Sequence, residues 1–145
     1  MTERTRGYAL RVDVVSDGGR VWHALTDSAC LARWCAPDAR IRPCAGGSFR
    51  ASVDRVTELE AHIDVFESGR RMRLVFLPSA KLPEAETAVV TDFILEELPT
   101  GTIVRVLGSG IPSDDSWDVQ YKLLRTGWER AIARLKVFVE KGLDR

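Results

Sequence analysis

The chain has 145 residues, of which 45% are hydrophobic and 29% charged, a composition typical of one globular domain. Lysine plus arginine equals aspartate plus glutamate, at 21 each, so the formal net charge is zero. This balance excludes the basic excess that binding to nucleic acid or to an anionic membrane surface requires. No apolar run reaches the roughly 20 residues that span a bilayer. We therefore expect a single domain over residues 1–145, with neither nucleic acid nor a membrane as partner.

The N-terminal segment and the cysteines both indicate a cytoplasmic protein. The first ten residues, MTERTRGYAL, are not followed by the apolar core of a secretion signal. The chain has three cysteines close together in sequence: Cys30, Cys35 and Cys44. Because an odd, clustered set is a poor basis for disulfide pairing, we expect free thiols. Together with His23 and His62 they match no spacing typical of zinc sites. We predict neither a metal nor another cofactor.

The start of the chain predicts a strand followed by two short helices. Every second residue from Tyr8 to Val14 is apolar, which indicates a strand with one buried face. Apolar residues then fall at helical spacing on either side of a break near Thr26, and Pro37 ends the second helix. The residues that offer a side-chain cap are Ser16 or Asp17 for the first helix and Asp27 or Ser28 for the second.

The middle of the chain predicts one strand after another. Turns at Gly46-Gly47, Ser68-Gly69 and Pro99-Thr100-Gly101 separate stretches that alternate between apolar and polar residues. Such short connections join neighbouring strands as hairpins, so the sheet is antiparallel. The residues predicted to face inwards are Phe49, Ala51 and Val53; Leu59, Ala61, Ile63 and Val65; Met72, Leu74 and Phe76; Thr91, Phe93 and Leu95; and Val104 and Val106.

A long amphipathic helix is predicted at the end of the chain. Apolar residues recur at steps of three and four from Trp117 to Val139, and Gly142 lies just past the end. The apolar stripe needs a partner, and the sheet is the only element large enough. The predicted fold class is α+β: a curved antiparallel sheet of about six to seven strands, two short helices after the first strand, and a long C-terminal helix on the sheet.

Several of these segments, taken in order, resemble a known family. They are Val21-Trp22-His23-Ala24-Leu25-Thr26-Asp27, Leu31-Ala32-Arg33-Trp34, Gly46-Gly47-Ser48-Phe49, Gly69-Arg70-Arg71-Met72-Arg73-Leu74, Gly101-Thr102 and Gly127-Trp128. Their order and spacing are similar to those of the AHSA-type proteins, homologues of the activator of the heat-shock ATPase, within the START-like (SRPBCC) superfamily. The resemblance runs from Tyr8 to Val139. It implies the helix-grip fold, in which the sheet and the C-terminal helix enclose a cavity.

The chain departs from the family pattern at two places. Members often carry a second aromatic residue after the Trp34 position, where this chain has Cys35, and the smaller side chain widens or softens that part of the cavity. Members also often have an aromatic residue or a histidine near the end of the last strand. This chain has Gly108-Ser109-Gly110-Ile111 there, so the resemblance assigns no role to a polar residue at that point.

A ligand cavity is the site that this fold predicts, because a curved sheet covered by a helix encloses a space with apolar walls. Residues on the inward phase of the strands and the helix should line it. Arg125 or the Tyr121 hydroxyl is the expected polar group that holds the ligand. The predicted ligand-binding residues are Trp34, Phe49, Phe76, Phe93, Val104, Tyr121, Arg125 and Trp128. The simpler alternative, that several of them only pack the core and that Arg125 lies along the helix edge, stays open.

No residue set in the sequence indicates catalysis. His23 on a short helix and His62 on the polar side of a strand are typical of solvated histidines. Several carboxylates alternate with apolar residues and so lie opposite the core, away from any pocket. They are Glu58, Glu60, Asp64 and Asp92. Neither a nucleophile triad nor a phosphate-binding glycine loop is present.

We therefore predict a module that binds a small hydrophobic or amphipathic molecule between the sheet and the C-terminal helix. Two alternatives stay open: a small enzyme of the polyketide cyclase or aromatase kind, and a module that contacts a chaperone, as the resemblance implies. Titratable residues converging inside the cavity would favour the enzyme, and a large exposed apolar patch on the sheet would favour the chaperone contact. A second copy of the chain is a further partner hypothesis.

Overall fold

A computed structural model of the chain describes residues 4–52, 58–79 and 82–144. In this part of the chain, seven strands form one antiparallel sheet in the order β1-β7-β6-β5-β4-β3-β2, and the predicted helix-grip fold is confirmed. The elements are β1 (Thr5–Val14), α1 (Gly18–Thr26), α2 (Ser28–Trp34), β2 (Arg40–Ile41), β3 (Ser48–Ser52), β4 (Glu58–Glu67), β5 (Arg71–Phe76), β6 (Val90–Leu98), β7 (Gly101–Pro112) and α3 (Asp118–Glu140).

Two strands differ from the prediction. The two-residue strand β2, which pairs Ile41 with Phe49, is too short to show a periodicity. The Ser28 hydroxyl holds it in place, since it accepts from the Ile41 N–H at 3.0 Å and donates to the Ile41 carbonyl at 3.1 Å. Strand β7 continues through Gly108 to Pro112, past the glycine-rich segment. Val53, predicted to share a face with Phe49, lies outside the described residues.

The helix ends follow the local sequence, with one correction. Asp27 caps α2, because its carboxylate accepts from the Cys30 N–H at 3.0 Å. Asp17 occupies the cap position of α1, but its side chain makes no capping hydrogen bond. Instead the Gly18 N–H donates to the Glu97 carboxylate at 3.3 Å, so a residue far along the chain replaces the predicted local cap.

Helix α3 ends in a Schellman motif at Gly142. Gly142 has a φ of 71°, in the left-handed region, and its N–H donates to the Val139 carbonyl at 2.9 Å. The Leu143 N–H donates to the Phe138 carbonyl at 3.0 Å. No helix in the described ranges combines the length and the apolar character needed to cross a membrane.

The core lies between the inner face of the sheet and helix α3. The helix buries one long face, formed by Leu124, Gly127, Trp128, Ala131, Ile132, Leu135, Phe138 and Val139. Trp117 is buried as predicted, but it lies in a 3₁₀ turn before the helix, and Tyr121 is only half-buried. Helix α3 begins at Asp118, whose carboxylate pairs with Arg6 of β1 at 2.8 Å, so the first turn is held at the start of that strand.

The outer face of the sheet is charged. Arg11 pairs with Asp13 on β1 at 2.8 Å, and Arg105 of β7 pairs with Glu96 of β6 at 2.7 Å. Asp92 lies on this outer face, as the alternation predicted, but it is only 7% exposed. Its carboxylate is covered by two arginines of the neighbouring strand β5: Arg71 at 3.1 Å and Arg73 at 3.0 Å.

Candidate ligand-binding site

A cleft of about 520 Å³ separates α2 from the middle of α3. Trp34 and Pro37 form one wall, Leu123 and Gly127 of α3 form the other, and Ser52 at the end of β3 closes one side. The volume lies within the range of about 300–1,000 Å³ that is usual for small-molecule sites. The cleft therefore has the size of a binding site and a partly apolar wall.

The two walls are tied together by hydrogen bonds. The Arg134 guanidinium of α3 donates to the carbonyl oxygens of Trp34 at 2.8 Å and of Cys35 at 3.1 Å. The Trp34 indole N–H in turn donates to the Ala24 carbonyl at 2.8 Å, which fixes the ring against α1. The α2 side of the cleft is thus held by α3 through Arg134 and by α1 through the Trp34 ring.

Three arginines line the cleft, and two of them are engaged. Arg134 holds the end of α2, and Arg33 donates to the Leu143 carbonyl at 2.7 Å and stacks on Phe138. Arg130 is exposed and takes part in no hydrogen bond or ion pair among the described residues. Since no described lining residue is acidic, Arg130 is the cation available to an anionic group in the cleft.

Cys35 lies in the wall of the cleft as a neutral thiol. Burial raises its pKa to about 12, and the positive charge of Arg134 opposes that shift only in part. A thiol becomes a nucleophile only as the thiolate, so Cys35 is inert at neutral pH. Its contribution to the cleft is a small apolar surface.

A second cleft of about 330 Å³ lies at the other end of the sheet. Phe76, Val89 and Trp117 line it, together with the segment that joins β5 to β6. The Trp117 indole N–H donates to the Glu84 carbonyl at 3.1 Å, which anchors that segment at the start of α3.

The structure distributes the eight predicted ligand-binding residues over several places. Trp34 lines the α2–α3 cleft, and Phe76 lines the second cleft. In the interior, the Trp128 ring meets Phe93 edge-on at 5.1 Å between centroids and lies 6.1 Å from Phe49. Val104 is fully buried on the inner face of β7.

The two predicted polar groups lie at the surface. The Tyr121 hydroxyl donates to the Gly7 carbonyl at 2.8 Å, and the guanidinium of Arg6 lies 4.7 Å above its ring. The Arg125 side chain is exposed and lines neither cleft. Arg130, five residues further along the helix, is the exposed arginine that lines the α2–α3 cleft.

Sequence reasoning missed the arginine side of the cleft. Arg130 and Arg134 are one helical turn apart on α3, and Thr126 precedes them by another turn, so all three share one face. Gly127 inside a long helix is a second signal, because glycine there commonly marks a close approach or a pocket wall. Read together, the two signals point to the face beside the apolar stripe.

One cluster holds side chains of the types that bind metals. The His23 ring nitrogen, the Asp27 carboxylate and the Cys30 sulfur all lie within 4.8 Å of one another. The groups already have other roles: Asp27 caps α2, and burial together with the neighbouring Asp27 raises the pKa of Cys30 to about 11. A metal would have to displace the thiol proton and compete for the capping carboxylate. The prediction of no metal therefore stays a prediction.

Comparison with known proteins gives a consistent fold. Protein MLL2253 from Mesorhizobium loti has a TM-score of 0.80 and 20% identity, and the match covers 94% of this chain and 98% of that one. The Aha1 dimer from Colwellia psychrerythraea has a TM-score of 0.78, 18% identity and coverage of 94% and 98%. DynU16, from the dynemicin biosynthetic locus, has a TM-score of 0.70 and 22% identity, and the match covers 94% of this chain and 48% of that one.

The sequence itself identifies a family. No curated protein matches the chain. Residues 18–140, from the start of α1 to the end of α3, match the family described as activator of Hsp90 ATPase homolog 1-like protein. The order of motifs in the sequence, the helix-grip fold and this match agree. The chain belongs to the activator of Hsp90 ATPase homolog 1-like family.

Proposed function

We propose that the protein binds a small amphipathic molecule between α3 and the rest of the domain, with the α2–α3 cleft as its entrance. The observation that carries the proposal is the composition of this cleft. An apolar wall that includes Trp34 and Leu123 stands beside Arg130, which has no partner among the described residues. A ligand with an apolar body and a carboxylate or sulfonate would match both features.

The comparisons support a small-molecule role in one respect. DynU16 is a protein of a biosynthetic locus for a small molecule, and its fold is shared by this chain. The family description and the Colwellia structure point to two other partners, a chaperone and a second copy of the chain. An apolar docking patch on the sheet would favour the chaperone. The outer face instead carries ion pairs such as Arg11–Asp13 and Arg105–Glu96.

Two exposed arginines of α3 make a matched test. Arg130 lines the cleft, whereas Arg125, which lies beside the apolar stripe of the helix, does not. We expect the anionic apolar probe 1-anilinonaphthalene-8-sulfonate to bind the folded protein. Arg130→Gln should weaken it by about tenfold, as for the loss of one charge-assisted hydrogen bond. Arg125→Gln should weaken it less.

The alternatives give different results. A larger loss with Arg125→Gln would assign the polar group to Arg125 and reject Arg130. Absence of probe binding to a protein that keeps its near-ultraviolet circular dichroism would reject the cleft as a ligand site. Light scattering tests self-association separately, since a dimer would have twice the chain mass of 16.2 kDa.

A further inference from the structure

Three polar atoms inside the domain have no hydrogen-bond partner among the described residues. They are the hydroxyl oxygens of Tyr8 and Thr91 and the indole nitrogen of Trp128. The three residues are 9%, 1% and 0% exposed, respectively. Leaving one such group buried and unpaired destabilises the folded state, because its hydration is lost and not replaced. Each such group in a folded protein calls for an explanation, and a bound molecule that supplies the missing partner is one.

The Tyr8 and Thr91 side chains approach each other over the inner face of β7, because the β7 residue between them is a glycine. Gly108 of β7 is paired with Tyr8 of β1 on one side and with Thr91 of β6 on the other. A Cβ at Gly108 would lie 2.4 Å from two carbon atoms of the Tyr8 ring, so the ring occupies the space above this glycine. The phenol therefore extends over β7 towards Thr91.

The environment of the phenol is apolar. Burial raises the pKa of Tyr8 to about 12, and the Thr91 hydroxyl, which lies close enough to interact with the phenol as a weak hydrogen-bond partner, opposes that shift. Tyr8 is thus a neutral donor at physiological pH. Among the described residues, the buried carboxylates lie away from this inner face: Asp92 is on the outer face, and Asp144 pairs with Arg20 after the end of α3.

Trp128 connects this region with the α2–α3 cleft. The preceding residue, Gly127, lines the cleft, and the Trp128 ring contacts Phe93. Phe93 is two residues from Thr91 and points to the same face of β6. The three residues therefore all belong to the buried layer between the inner face of the sheet and α3.

The number of donors decides what the partner is. Two hydroxyl groups and one indole provide three hydrogen atoms for hydrogen bonding. If Tyr8 and Thr91 rotated to bond each other, one O–H and the indole N–H would still need an acceptor. A buried anion would lack a compensating cation, so the acceptor is neutral.

We infer that Tyr8, Thr91 and Trp128 form the inner end of the binding site and hold a neutral carbonyl oxygen, as in a ketone or quinone, of an otherwise apolar ligand. This inference rests on the proposed function. It adds the chemistry of the ligand's buried end to the anionic group expected at Arg130.

Fluorene and 9-fluorenone test the inference, because they share one ring skeleton and differ by a carbonyl. Wild-type protein should bind fluorenone about tenfold more tightly than fluorene, the ratio that one net hydrogen bond provides. Tyr8→Phe and Thr91→Val each remove one hydroxyl and keep the side-chain shape. Both should reduce this ratio towards one without weakening fluorene.

Thr102→Val is the matched control. Thr102 is also a buried strand threonine, but its hydroxyl donates to the Ser16 carbonyl at 2.8 Å. The control should lower the denaturation midpoint of the free protein and leave the fluorenone-to-fluorene ratio unchanged. Thr91→Val and Tyr8→Phe should lower the midpoint less than Thr102→Val does, since neither hydroxyl they remove has a hydrogen-bond partner as well placed as the Ser16 carbonyl is for Thr102.

The outcomes separate the two proposals. Equal binding of both probes overturns the carbonyl subsite and leaves the proposed function standing. Binding of neither probe to the folded protein also overturns the carbonyl subsite, and the proposed function falls with it only if 1-anilinonaphthalene-8-sulfonate does not bind either. If Tyr8→Phe and Thr91→Val lower the midpoint as much as Thr102→Val and the ratio is already one in wild type, the three atoms hold water and the inference is wrong.

Discussion

The Arg134 guanidinium donates a hydrogen bond of 2.8 Å to the carbonyl oxygen of Trp34, across 100 residues of chain. The same side chain donates a second hydrogen bond, to the Cys35 carbonyl. These two hydrogen bonds hold the end of α2 against α3. The width of the cleft therefore depends on Arg134, even though the apolar wall is made by other residues.

Arg134→Met should destabilise the protein by about 1–3 kcal/mol, because two carbonyls at the end of α2 lose their donor. Arg130→Met is the control on the same helix face. It removes a guanidinium without described hydrogen bonds and should change the free energy of unfolding by less than about 0.5 kcal/mol. Urea denaturation measures both. Equal changes in the free energy of unfolding for Arg134→Met and Arg130→Met would mean that the Arg134 hydrogen bonds do not stabilise the fold.

Trp128→Ala should destabilise the protein by about 3–5 kcal/mol, since it empties the centre of the core between Phe93 and Phe49. Val137→Ala on the same helix is the control, because Val137 is 48% exposed and the change leaves no cavity. A denaturation midpoint for Trp128→Ala close to that of wild type would contradict the central position of this side chain.

Gly108→Ala should destabilise the protein by about 1–3 kcal/mol, since its methyl group would displace the Tyr8 ring. Gly19→Ala in α1 has space for a methyl group, with the Asp17 carboxylate as its nearest neighbour at 3.6 Å. It should be neutral or slightly stabilising, because alanine favours a helix more than glycine does. Thermal unfolding of the two variants gives the comparison, and a stable Gly108→Ala would show that the ring moves freely.

Much of the fold could be predicted because burial imposes a period on the chain. The inward phase of β1 from Tyr8 to Val14 and the stripe of α3 are local patterns, and both are present in the structure. Contacts between distant segments leave no such pattern. The ion pair between Arg71 and Asp92 depends on the register of β5 and β6. The hydrogen bond from Arg134 to the Trp34 carbonyl depends on how α3 packs against α2.

The site was harder to predict than the fold, because a cavity also depends on contacts between distant segments. Periodicity identifies residues that face inwards, but not whether an inward side chain meets a space or another side chain. Phe93 and Trp128, both predicted to bind the ligand, pack against each other. A polar residue among the apolar inward-facing residues is a more useful indication of a site. Thr91 is such a residue on β6, and its hydroxyl is one of the buried groups without a hydrogen-bond partner.

The cluster of His23, Asp27 and Cys30 should not retain zinc. Its thiol is protonated at neutral pH, and its carboxylate is needed as the cap of α2. Elemental analysis after dialysis against zinc should give well below one equivalent for wild-type protein. One equivalent that Cys30→Ser abolishes would instead make the cluster a zinc site.

The cysteines should differ in reactivity towards a thiol reagent. Cys44 is exposed, whereas Cys30 and Cys35 are buried. One thiol should react rapidly in the native protein at neutral pH, and all three should react after unfolding without a reductant. Fewer than three thiols in the unfolded protein would reveal a disulfide and contradict the free state of the cysteines.

Alkaline pH should destabilise the protein through Cys35. Burial raises the pKa of this thiol to about 12 in the folded state, whereas the pKa of an exposed cysteine is about 8.5. Below the unfolded pKa both states hold the proton, and stability does not depend on this group. Above it, the unfolded chain releases a proton that the folded protein keeps. The free energy of unfolding then falls as pH rises, by at most roughly 1.4 kcal/mol per pH unit for one group. Urea midpoints at pH 8 and pH 10 measure the loss, which Cys35→Ala should reduce. An equal loss in wild type and in this variant would show that Cys35 is not the group responsible.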